Sequence, residues 1–155
     1  MDPVLMAALG KAGGATVLGL AALGSAFGTG IAGMAAIGAW KRAYAQNKAA
    51  PFILITFVGA PLSQTIYGMI LMNSVVRAVS GALSGNNVVA WPAMLGVGLF
   101  GGIAMGASAL MQGRVGAAAS DALGETGQGF GNYLMAIGVV ETVAIFVLVF
   151  ITAAI

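Results

Sequence analysis

Four long runs of apolar and small residues, separated by short polar or turn-forming stretches, organise the chain. They cover residues 12–40, 52–79, 91–119 and 130–154. At 1.5 Å per residue the first run reaches roughly 43 Å, more than the hydrocarbon core of a bilayer. The pattern predicts four transmembrane helices in two tandem hairpins, residues 1–79 and 80–155. Lys11 marks the start of the first span, and Trp40-Lys41-Arg42 its far end. A loop is expected up to Ala50, and Pro51 then opens the second helix, where its missing N–H is harmless. Ser80 to Ala90, with Gly81, Gly85, Asn86 and Asn87, reads as an uncharged loop. A third loop is expected to hold Asp121, Gly124, Glu125, Gly127 and Gly129.

Small residues recur within two of the spans. Gly24, Gly28, Ala32 and Ala36 lie four apart in the first, and Gly98, Gly102 and Gly106 in the third. This spacing makes a smooth helix face on which another backbone packs closely in lipid. The second span holds Pro61-Leu62-Ser63-Gln64-Thr65-Ile66-Tyr67-Gly68. Pro61 removes one helical hydrogen bond and clashes with the carbonyl four residues earlier, so a bend is expected there. Ser63, Gln64 and Tyr67 share a helix face by their three- and four-residue spacing.

Composition agrees with this pattern. Of 155 residues, 60% are hydrophobic and 6% charged, where soluble domains carry about 25% charge. Mean hydropathy is +1.02. Without Cys or His, disulfides, thiolate metal sites and imidazole catalysis are excluded. Six basic residues against four acidic ones are too few for nucleic-acid binding. Met1-Asp2-Pro3 lacks a basic n-region, and no cleaved signal is expected. Lys41, Arg42 and Lys48 make the first loop the most basic. The positive-inside rule places the loops that close the two hairpins in the cytoplasm and both termini opposite.

Glu141 changes the picture most. It is the only acidic residue after Glu125 and stands in the middle of an apolar span. A carboxylate at that depth costs about 2.5–3.5 kcal/mol on insertion scales, so it is retained for a function, usually ion handling. The two hairpins also read as a weak repeat. Ala22–Gly28 pairs loosely with Ala109–Val115, and Ser63-Gln64-Thr65 with Val140-Glu141-Thr142, so an amide stands in one half where a carboxylate stands in the other.

These features resemble the proteolipid (K or c) subunit of V-type and A-type rotary ATPases, over essentially the whole chain. In the sodium-pumping branch the second-span motif looks like Pro-x-(Ser/Thr)-Gln-x-x-Tyr-Gly, here Pro61 to Gly68. The third-span Gln-Gly-basic motif stands as Gln112-Gly113-Arg114, and the fourth-span Glu-Thr as Glu141-Thr142. Val143 departs from the Tyr of some sodium-type relatives. The resemblance implies a homo-oligomeric ring with the Gly-rich first and third helices on its inside. Such a ring sits in lipid, turns against a stator membrane subunit and engages central-stalk subunits. It performs no covalent chemistry.

Read from the residues themselves, the candidate ligands are the Ser63 hydroxyl, the Gln64 and Gln112 carbonyls, the Glu141 carboxylate and a backbone carbonyl near Pro61. All are oxygens, which suits a hard cation. Tyr67 is placed to donate its hydroxyl to Glu141. A proton would also neutralise Glu141, but it needs only one further acceptor, so the surplus of oxygens favours sodium. A small four-helix secondary exporter is the competing class, and it would lack the ring.

Overall fold

In the computed structural model, residues 2–155 are described, and among them all regular structure is helical. Four helices are long and apolar enough to cross a membrane: Pro3–Ala45, Phe52–Ser84, Trp91–Thr126 and Phe130–Ala154. They are called the first to fourth helices below. Each contains one of the expected spans, and the first three run further than expected. The first helix begins at Pro3, eight residues before Lys11, because Asp2 caps it. The Asp2 carboxylate accepts a hydrogen bond from the Val4 N–H at 3.1 Å, and Pro3 occupies the first turn, where its missing donor costs nothing.

The helix ends shorten all three expected loops, and Lys41 and Arg42 belong to the first helix, which runs to Ala45, and not to the loop after it. Ser80 to Ser84 belong to the second helix, which ends at Gly85. Asp121 and Glu125 are not loop residues but lie in the last turns of the third helix, where both pair with Arg42 of the first. The Arg42–Glu125 contact is 3.5 Å. The connection that remains, Gly127 to Gly129, closes in three residues because both glycines take positive φ, 66° and 88°. Trp40 fastens the first loop by donating its indole N–H to the Pro51 carbonyl at 2.8 Å.

Packing is set by glycine. The first and third helices run in the same direction and make the closest backbone approach. A Cβ on Gly24 would overlap the Gly106 backbone; one on Gly113 would overlap Gly28; one on Gly98 would overlap Gly13. The two stripes expected from the sequence therefore face each other inside one protomer, and Gly13 and Gly113 belong with them. A π turn at Val97–Gly101 interrupts the third helix between Gly98 and Gly102, which packs on Leu20. Close contacts thus cross from one hairpin to the other.

The second helix packs on the first through Gly68, which faces Leu18 and Ala21. Pro61 interrupts its α-helical bonding: Ala60–Leu62 form a 3-10 turn between α-helical segments. The fourth helix is the least covered. Only Ile137 and Ala144 of its 25 residues are buried, and it leans on the third and second helices. Its exposed side carries Met135, Val139, Val143, Phe146 and Phe150.

Candidate ion-binding site

The second, third and fourth helices bring the polar residues of three spans to one place. Glu141 is the twelfth residue of the 25-residue fourth helix, close to its midpoint. Its Oε1 accepts a hydrogen bond from the Tyr67 hydroxyl at 2.6 Å. Its Oε2 accepts from Gln112 Nε2 at 3.3 Å. Donors on both oxygens hold the carboxylate in a single orientation, and a short bond to a charged acceptor is among the stronger kinds.

Behind the carboxylate stand two amides with no exposure to solvent, Gln64 and Gln112. Gln64 Nε2 donates to Gln112 Oε1 at 2.9 Å. The Ser63 hydroxyl lies 3.2 Å from Gln64 Oε1 and 3.1 Å from the Ala60 carbonyl. Ala60 precedes Pro61, so the 3-10 turn is what turns this carbonyl toward the Ser63 side chain. Buried amides left without partners would be costly, and here each has them.

Ser63, Gln64, Tyr67, Gln112 and Glu141 thus form one hydrogen-bonded cluster. The backbone carbonyl expected near Pro61 is that of Ala60. Two features differ from the sequence reading. Gln112 offers Glu141 its NH2 group, not its carbonyl, because its Oε1 already accepts from Gln64. Ser108 was missed. Its hydroxyl lies 3.5 Å from Gln64 Nε2 and donates to the Val140 carbonyl at 3.0 Å, tying the third helix to the fourth one residue before Glu141. The signal was available: Ser108 precedes Gln112 by four residues and shares its helix face.

As a chemical unit the cluster offers one negative charge ringed by neutral oxygens, with no nucleophile paired to a base. That donor set has the chemistry to hold a small cation.

Fold and site define a multi-pass helical membrane protein with one mid-depth carboxylate set among oxygens. Residues 95–152 match the family model described as the C subunit of ATP synthase. The matched segment takes in most of the third and fourth helices and contains Ser108, Gln112 and Glu141; Ser63, Gln64 and Tyr67 lie outside it. The family is one of ion-translocating rotor subunits that assemble into membrane rings, not one of catalysts. A comparison with curated protein sequences found no match.

Proposed function

We propose that this chain is the rotor-ring subunit of a V/A-type ATPase and that each copy carries one sodium ion across the membrane at Glu141. The observation that carries the reading is the hydrogen-bonded chain Ser63–Gln64–Gln112–Glu141, with Tyr67 on the same carboxylate. One carboxylate with one monovalent cation is neutral. A neutral site can sweep past lipid, whereas a bare charge there is expensive. Loaded sites are thus free to rotate through the bilayer, and ions exchange only where a stator protein provides water or a compensating cation.

Loading needs the two glutamine amides to turn together, because flipping Gln112 alone would set its NH2 against that of Gln64. Turning the Gln112 amide about its last torsion exchanges Nε2 for Oε1 beside Glu141. The cation then receives oxygens from Glu141, Gln112, Gln64, Ser63 and the Ala60 carbonyl. Tyr67 keeps its bond to the carboxylate throughout. A proton needs only one acceptor beyond Glu141, so most of this oxygen set would be idle in a proton rotor.

The test is labelling of Glu141 by a carbodiimide, which attacks the protonated carboxyl. Sodium added at fixed pH is expected to slow labelling, and its protection should weaken as pH falls, since protons compete for the same oxygens. Gln112→Ala removes one ligand and should raise the sodium needed for protection about tenfold, the loss of one interaction with a charged group. Labelling that is indifferent to sodium would leave the proton as the cargo.

The basic loop carrying Lys48 and the Gly127–Gly129 turn are proposed to face the cytoplasm, where central-stalk subunits would meet them. The motivation is the Lys41, Arg42 and Lys48 cluster. A Lys48→Cys variant should react with an impermeant thiol reagent only after cells are opened; reaction in intact cells would reverse the topology.

A further inference from the structure

Ser25 of the first helix stands outside the cluster, although it is as deeply buried. It is 2% exposed, and its hydroxyl oxygen is closed off from solvent and has no hydrogen-bond partner among the described residues. Most buried hydroxyls are paired, and an unpaired one is destabilising. Thr29 and Ser120 carry hydroxyls in the same condition.

The crossings on either side fix what Ser25 faces. A Cβ on Gly68 would meet Ala21, and one on Gly28 would meet Pro61. The first and second helices are antiparallel neighbours, so residues between these two crossings are level with one another. Ser25 stands four residues after Ala21 and three before Gly28, and Gln64 stands four before Gly68 and three after Pro61. Ser25 is therefore opposite Gln64, and by the same register Thr29 is level with Ala60. On the flank toward the third helix, Gly24 meets Gly106 and Gly28 meets Ala109. These contacts bracket Ser108, itself 3.5 Å from Gln64 Nε2. The weak repeat points the same way, since it pairs Ser25 with Gln112 as it pairs Gln64 with Glu141. In one hairpin an amide supports the carboxylate. In the other a hydroxyl stands behind the amide.

Hydrogen-bond accounting gives Ser25 a use. As the cluster stands, the Gln64 NH2 is served by Gln112 Oε1 at 2.9 Å and by Ser108, and Ser25 is idle. When the two glutamines turn to receive a cation, that NH2 leaves Gln112 and swings toward Ser63 and the Ala60 carbonyl. Those oxygens are then wanted by the cation and cannot also serve the amide. A buried NH2 without an acceptor would oppose the turn. We propose that Ser25 is a positioning residue of the ion site, whose oxygen accepts from the Gln64 NH2 in the loaded state. The hydroxyl proton of Ser25 is given to the carbonyl of Ala21, four residues back in its own helix, as helical serines commonly do. Ser25 thus favours the loaded arrangement and contributes nothing to the empty one. The inference rests on the reading of Glu141 as a sodium carrier.

The test measures the sodium concentration that half-protects Glu141 from a carbodiimide, in membranes holding the whole complex. Ser25→Ala should raise it roughly fivefold, the loss of one neutral hydrogen bond. In sodium-free buffer the variant should follow the wild-type pH profile of labelling. Its thermal unfolding there should match or exceed that of the wild type, because the hydroxyl has no partner to lose. Ser120→Ala is the control. It removes another unpartnered hydroxyl, about 12 Å along the third helix from Gln112, and should leave the sodium requirement unchanged. An unchanged requirement in Ser25→Ala overturns the proposal, while protection of the wild type by sodium keeps the sodium reading; wild-type labelling indifferent to sodium removes both. A shifted pH profile or lowered unfolding temperature of Ser25→Ala in sodium-free buffer also overturns the proposal, since the hydroxyl would then act on the empty site. So does an equal rise in Ser120→Ala, which would mean that loss of any buried hydroxyl suffices.

Discussion

Glu141→Gln should reduce cation transport to background while the protein still inserts and assembles. The exchange keeps the size and shape of the side chain. The Tyr67 hydroxyl can still donate to an oxygen there, at the 2.6 Å contact it makes with Glu141. What disappears is the only negative charge at mid-depth. A sodium ion in the variant would be an uncompensated charge in a low-dielectric site, at an effective cost of several kcal/mol, or on the order of a thousandfold in occupancy. The measurement is ATP-driven uptake of radioactive sodium by vesicles containing the whole complex, with the make-up of the complex checked by gel. ATP hydrolysis that no longer drives uptake is the expected pattern. Uptake at more than a few per cent of wild type would mean that the ion does not pass through this cluster.

Much of this arrangement was legible from the sequence, for identifiable reasons. An apolar run long enough to cross a bilayer has few folded alternatives to a helix, so all four spans could be read. The fourth matched its helix at both ends, Phe130–Ala154, whereas the far ends of the first three could not be read. Asp121 and Glu125 look like loop residues until Arg42, far away in sequence, is found beside them. The cluster partners were legible because Pro61, Ser63, Gln64, Tyr67, Gln112 and Glu141 are rare residue types for an apolar span. Ser108 was passed over because a serine in such a span is commonplace until its partners, Gln64 and Val140, are seen. The direction of the Gln112 amide is a property of the pair it forms with Gln64, and no local pattern carries it.

The facing of the glycine stripes was also beyond the sequence, since spacing identifies a smooth face and not the surface it meets. That facing leads to the second large effect: Gly24→Leu and Gly113→Leu should prevent the protomer from folding, before any question of ring assembly arises. In each case the added Cβ would overlap the backbone of the opposite helix, Gly106 or Gly28. A backbone cannot turn aside as a side-chain tip can, so the helices must separate. Ordinary overpacking costs about 1–3 kcal/mol, and a backbone clash at a helix crossing belongs at or above the top of that range. The displaced third helix carries Ser108 and Gln112, so the hydrogen-bonded cluster around Glu141 opens as well. Gly19→Leu and Gly30→Leu are the matched controls, because nothing in the protomer lies within 4 Å of either position. Each has the same composition change and the same loss of a helix glycine, which by itself favours the helix. Protease resistance and thermal unfolding of the detergent-solubilised protomer separate the two pairs. Gly24→Leu and Gly113→Leu should be degraded or unfold well below the wild type, while Gly19→Leu and Gly30→Leu should match it even where they alter the size of the assembly. A stable protomer carrying Gly24→Leu would show that the first and third helices do not cross at Gly24 and Gly106.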